Sequence, residues 1–103
     1  MKRSVVLLVN VNEYMTTGEV VTIIREKLKT PIKQLHKSGL EPKECKIDFV
    51  LQARKQLFEG SDYIYFASVI AEKFDCECMV HTDSLGRVFH AKPFLEISIT
   101  LWD

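Results

Sequence analysis

The chain has no surplus of charge of either sign: across 103 residues, 14 Lys and Arg balance 14 Asp and Glu. That removes the electrostatic case for general adhesion to nucleic acid or to a membrane surface, because phosphate affinity is built from accumulated cations. A local basic patch stays open, and a chain near zero charge is more prone to self-association. Long apolar runs are absent too, so no segment approaches the length that spans a bilayer. The longest near the start, Val5 to Val9 behind Lys2-Arg3, is cut short by Asn10, Asn12 and Glu13. A signal peptide would stay apolar for longer and then present small residues, so this segment reads as a buried strand. Glycine is scarce, at four residues, and no Gly-x-Gly-x-x-Gly or Walker-type loop is present to cradle phosphates. Cysteine is limited to Cys45, Cys76 and Cys78, an odd number at low density. That fits free thiols in a reducing compartment, and the expected location is the bacterial or phage cytoplasm. Repeats, low-complexity tracts and long linkers are also missing, and the length fits one domain over residues 1–103.

What is present is an ordinary globular balance, 47% hydrophobic and 27% charged, which argues against disorder. Residues 4–11 read as a central strand. Thr16-Thr17-Gly18-Glu19 has the spacing of a capping box, so a helix should follow and run to about Lys29. Val20, Ile23, Ile24 and Leu28 give that helix one apolar face. Thr30-Pro31 should stop it and start a short second helix over 31–38, ended by Gly39. Residues 39–44 form the best internal boundary. Cys45 to Leu51 reads as a second strand, and 52–60 as an active loop or a short helical turn. Ser61 can cap a helix from about Asp62 to Phe74, whose Tyr63, Phe66, Ala67, Ile70 and Phe74 make the densest core contact. Cys76, Cys78 and Val80 alternate with Glu77, Met79 and His81. Asp83 to Gly86 is a turn signal, and Arg87 to Ala91 should return as a strand. Leu95, Ile97, Ile99 and Leu101 alternate with polar residues at a period of two. The expected order is β-α-α-β-α-β-β-β: an α+β domain with a single, mostly antiparallel sheet and helices packed on one face.

Two stretches resemble the histidine-containing phosphocarrier (HPr) family and its catabolite-repression paralogue. The family's Gly-Leu-His-Ala-Arg-Pro is matched by Val50-Leu51-Gln52-Ala53-Arg54-Lys55. Its hairpin pattern Gly-Lys-x-Val-Asn-Ala-Lys-Ser is matched by Gly86-Arg87-Val88-Phe89-His90-Ala91-Lys92-Pro93. Ile70 to Asp75 resembles the end of the family's first helix. The resemblance covers about residues 45–98. It implies a two-layer HPr-like sandwich, permuted if the strand and helix of Ser4–Lys29 are the family's last ones moved to the front. The 45–51 strand would then lie inside the sheet with the 62–74 helix across its face. Residues 94–101 depart from the family by alternating like a strand where it has a short helix. Gln52 stands where the family's histidine accepts a phosphoryl group, and an amide cannot carry one. Pro93 stands where a serine is phosphorylated and has no hydroxyl. The resemblance therefore implies a non-enzymatic, regulatory binding domain that docks a protein partner through Gln52, Arg54, Lys55 and Lys92, without a cofactor.

Other arrangements compete with that reading. Arg25, Lys27, Lys29, Lys33, Lys37, Lys43 and Lys46 could make a phosphate-contacting surface for nucleic acid, against the simpler reading of a solvated helical face. Tyr63 and Tyr65 could stack on bases, although helical spacing sends one of them to the core. Cys76-x-Cys78 with His81 and His90 supplies ligand types for zinc or a thiol enzyme. Alternation points the two sulfurs to one strand face and His81 to the other, which favours two small buried residues and no metal. The terminal 94–102 strand, ending in Trp102, would be free to pair with a second copy if it lay at a sheet edge.

Overall fold

Side-chain alternation sets the sheet. The computed structural model describes residues 1–82 and 92–103, and its strands are β1 (Lys2–Asn10), β2 (Glu44–Gln52), β3 (Glu77–Thr82) and β4 (Phe94–Trp102). In β4 every odd residue from Leu95 to Leu101 is buried, and every even one is partly exposed. β2 repeats the pattern with Cys45, Ile47, Phe49 and Leu51, and β1 does so with Leu7 and Val9. These inward residues share one face, which the helices cover. Val6, Leu8 and Met79 stand exposed on the other face, which neither described helix covers.

The strand order is β1-β4-β2-β3. β4 runs antiparallel to β1 and to β2, and β2 pairs in parallel with β3. The architecture is therefore α+β, a mixed four-stranded sheet that is antiparallel in two of its three pairings. β2 lies inside the sheet. β4 is flanked along its whole length, Lys2↔Trp102 to Asn10↔Phe94 on one side and Glu44↔Trp102 to Gln52↔Phe94 on the other. The expected edge at 94–102 is thus filled from within the chain, and no free backbone is left there for a second copy. The strand expected over Arg87–Ala91 lies outside the described residues.

Two helices complete the layer. α1 (Thr17–Ser38) opens on the expected capping box: the Glu19 amide donates to Thr16 Oγ1 at 3.1 Å, and the Thr16 amide donates to Glu19 Oε1 at 3.3 Å. It ends on Gly39, whose φ of 74° is the left-handed conformation that glycine adopts without penalty. Between them the helix is continuous. Pro31 sits inside it, and the break expected at Thr30-Pro31 does not occur. Pro31 forfeits one intrahelical hydrogen bond. Val20, Val21, Ile24, Leu28 and Leu35 nevertheless keep burying along a single face through both halves. Beyond Pro31, Leu35 is buried and Ile32 packs against the core, and a fully buried aliphatic side chain contributes about 1.5–3 kcal/mol, a gain that offsets the local cost of the proline.

α2 (Gly60–Phe74) begins one residue before the expected Ser61 cap. Glu59 is the N-cap, and its amide donates to the Asp62 carboxylate at 2.8 Å. Residues 53–59 are an irregular connection, not a helical turn. α2 lies across the helix-side face of β2, where Phe49 meets Tyr63 and Phe66 with ring centres 5.4 and 6.3 Å apart. Phe58 closes the cluster edge-on to Phe66 at 5.3 Å. Such aromatic pairs add about 0.5–1.5 kcal/mol beyond their buried area. The chain ends meet: the Met1 ammonium donates to Asp103 Oδ1 at 2.6 Å, and the Asp103 amide to the Met1 carbonyl at 3.3 Å.

No helix among the described residues is long and apolar enough to cross a membrane. The continuity of α1 is testable: Pro31→Ala restores the missing amide donor and should raise stability to urea by about 1–3 kcal/mol. A loss of stability would show that the proline ring packs for more than its backbone costs.

Candidate functional site

β1 and β2 both run antiparallel to β4, so they run parallel to each other and end at the same margin of the sheet. The connections that follow them, 11–16 and 53–59, therefore lie side by side, and the start of β4 arrives at the same place. The Val11 amide donates to the Pro93 carbonyl at 3.2 Å, which ties the first connection to the run into β4. A cleft of about 540 Å³ opens there, lined by Asn12, Glu13, Tyr14, Ala53, Arg54, Lys55, Leu57 and Pro93.

Three features give this cleft its chemistry. Tyr14 is 86% exposed, and the Tyr14 amide donates to Asn12 Oδ1 at 2.9 Å, an Asx-type turn that presents the ring. Lys55 pairs with Glu13 across the cleft. Its ammonium holds the Glu13 carboxyl below the usual carboxylate range, chiefly through the hydrogen bond and then through charge. Arg54 is exposed beside it, and Ala53 and Leu57 supply an apolar floor.

Of the expected docking residues, Arg54 and Lys55 line the cleft, and exposed Lys92 directly precedes Pro93 in its wall. Gln52 does not line it. Gln52 closes β2 opposite Phe94, half-buried, and its Oε1 is shut from solvent with no partner among the described residues. Asn12, Glu13 and Tyr14 were missed. A strand end running straight into a capping box was the available signal, since such a short connection must turn at the sheet margin.

The expected basic surface is divided. Arg25, Lys29, Lys33 and His36 share a second cleft of about 600 Å³ on α1 with Lys73 of α2. Glu26 also lines it, bonded to Lys29 at 2.8 Å. Lys27, Lys37, Lys43 and Lys46 do not line it. Lys46 stands on β2 3.8 Å from Asp48. Tyr63 is core, with its hydroxyl pushed up by burial, while Tyr65 is 44% exposed.

The cysteines also fall differently from expectation. Parallel pairing of β2 with β3 sets Cys45 opposite Cys78, with Cα atoms 4.3 Å apart, and the two are joined in a disulfide. The expectation of three free thiols holds for Cys76 alone. Cys76 Sγ lies 4.0 Å from Cys78 Sγ. Burial and then the Asp75 charge push the Cys76 thiol up, the opposite of what an activated nucleophile needs. His81 stays apart from the sulfurs and meets Asp48, Nδ1 to Oδ1, at 3.3 Å. His90 lies outside the described residues.

No family model and no curated protein matches this chain. Solved structures similar in fold include the following two. One is AaThiL complexed with AMPPCP and TMP, at 14% identity and a TM-score of 0.53, over 97% of this chain and 31% of that one. The other is the hydrogenase maturation protein HypE in complex with ATP, at 10% identity and a TM-score of 0.51, over 98% of this chain and 30% of that one. The chain thus spans about a third of their length, and identities this low speak for architecture alone.

The Glu13–Lys55 pair gives a direct check. In Lys55→Gln the Glu13 carboxyl should titrate at higher pH than in the wild type, followed by carbon-detected NMR. The pair should hold at neutral pH and dissolve as pH falls through the lowered Glu13 value. An unmoved Glu13 titration would show that the two side chains do not meet in solution.

Proposed function

We propose that this domain binds an acidic segment of a partner protein in the cleft at the carboxyl ends of β1 and β2, without catalysing a reaction. The observation that carries the reading is the convergence there of Arg54 and Pro93, with Lys92 adjoining, beside exposed Tyr14 and the Glu13–Lys55 pair. Cations matched to carboxylates chiefly speed and orient encounter. The aromatic ring and the apolar floor supply buried area, the usual anchor of a binding surface. Gln52 and Pro93 stand at the positions where the resembling phosphocarrier family is phosphorylated, and neither side chain can serve.

Panning a displayed peptide library against the purified chain tests this. The wild type should enrich segments rich in Asp and Glu, and the Arg54→Glu, Lys92→Glu double variant should bind them at least about tenfold more weakly, as two reversed contacts of roughly 0.7 kcal/mol or more would require. Enrichment of basic segments, or equal binding by the double variant, would remove the proposal. Added ATP, a ligand of one structural neighbour, separates the classes further. If millimolar ATP occupies the cleft and peptides do not, the site takes a nucleotide instead.

A second reading has its own observation. Arg25, Lys29, Lys33 and Lys73, drawn from two helices into one groove, suit a run of phosphates. A single-stranded oligonucleotide should then bind with an affinity that falls steeply with salt, and Lys29→Glu with Lys33→Glu should abolish binding. Retention that ignores salt, or no retention, would dismiss it.

A further inference from the structure

At the end of the sheet away from the cleft, the start of β2 and the start of β3 bring Cys45, Cys76 and Cys78 together. Their sulfur atoms all lie within 4.8 Å of one another. We propose that, once the Cys45–Cys78 bond is reduced, these three cysteines form a thiolate site for one thiophilic cation, Zn²⁺ or Cu⁺. The site is independent of the docking reading and involves none of its residues.

Geometry is the first argument. Zinc–thiolate bonds of about 2.3 Å place neighbouring sulfurs about 3.8 Å apart in a tetrahedral site and about 4.0 Å in a trigonal one. The Cys76–Cys78 separation is 4.0 Å. Cys45 and Cys78 sit directly across the parallel pair, so their released sulfurs stay neighbours. The positions are also fixed by backbone and not by long side chains. Cys45 is 1% exposed within β2. Cys76 follows Asp75, whose φ of 53° turns the chain out of α2, and its amide donates to the Ala71 carbonyl at 3.4 Å. Cys76 directly precedes β3 and Cys78 lies within it, their sulfurs meeting across Glu77, and the third ligand comes from the neighbouring strand held in register.

Charge decides between a cation and a thiol relay. The shallow cleft that exposes Cys76 is also lined by Glu72, Asp75 and Glu77. An attacking thiolate would form against those carboxylates, whereas a cation would be drawn by them. Thiolate donors select the softer metals over magnesium or calcium, and three protein ligands leave one position for water or an outside donor.

The chemistry balances with a dithiol as reductant. Two electrons and two protons pass from the dithiol to the Cys45–Cys78 bond, giving two thiols, and the dithiol becomes a disulfide. Metal binding then releases the thiol protons to solvent.

The test uses the full chain, reduced with a dithiol and freed of it by gel filtration under argon. Zn²⁺ should bind one per chain, and Co²⁺ should give thiolate-to-metal charge-transfer absorption that Zn²⁺ displaces. Cys76→Ser and Cys76→Ala should keep the circular dichroism of the reduced wild type yet lose at least about 100-fold in zinc affinity, since even second-shell losses cost 10–100-fold. Oxidised protein should bind none. Binding below one equivalent, unchanged affinity in both Cys76 variants, or equal binding by oxidised protein would each overturn the proposal. So would a reduced chain that loses its fold and takes up no metal.

Discussion

The structure hangs on β4. Its nine residues pair along both sides, and its four inward side chains, Leu95, Ile97, Ile99 and Leu101, are each 1% exposed or less. A slip of one residue would turn that whole row into solvent and its polar row into the core. Because β1 and β2 both oppose this one strand, they must run in the same direction, and their connections must leave at one margin. The cleft bearing Arg54 and Lys55 is a consequence of that constraint.

Much of the fold was legible because it is written in local periods. The alternation of 95–101, the Thr16–Glu19 box, the apolar stripe of 62–74 and the stop at Gly39 all act within one element. Pro31 misled because a local rule met a non-local gain: Leu35 buries against the same core as Leu28. The parallel pairing of β2 with β3 and the central place of β4 could not be read, because register between distant strands is fixed by packing that one strand's alternation does not encode. The same reason explains the site. Arg54 and Lys55 stood out in a loop, but Glu13 and Tyr14 join them only through the sheet. Cys76 and Cys78 were visible as a pair, and Cys45 becomes their neighbour only through the β2–β3 register.

Two ends of one sheet therefore carry opposite chemistry. The carboxyl ends of β1 and β2 present Arg54, a Glu13–Lys55 ion pair and an aromatic ring, while the amino end of β3 presents sulfur beside carboxylates. Between them lies a core without a buried charged or polar residue among those described. Such a core gives stiffness and no chemistry of its own, so each end is tuned by its own neighbours. The architectural likeness to segments of two much larger proteins fits that division, since a platform of this kind takes its activity from what its margins carry.

The meeting of Met1 with Asp103 beside the Lys2↔Trp102 rung has a topological consequence. A polypeptide that arrives and departs at one corner can be hung within a host loop by a single stalk, because its span across the host is only a few ångströms. Closing that corner with a short linker and reopening the chain elsewhere would leave the hydrogen-bonded order of the sheet untouched.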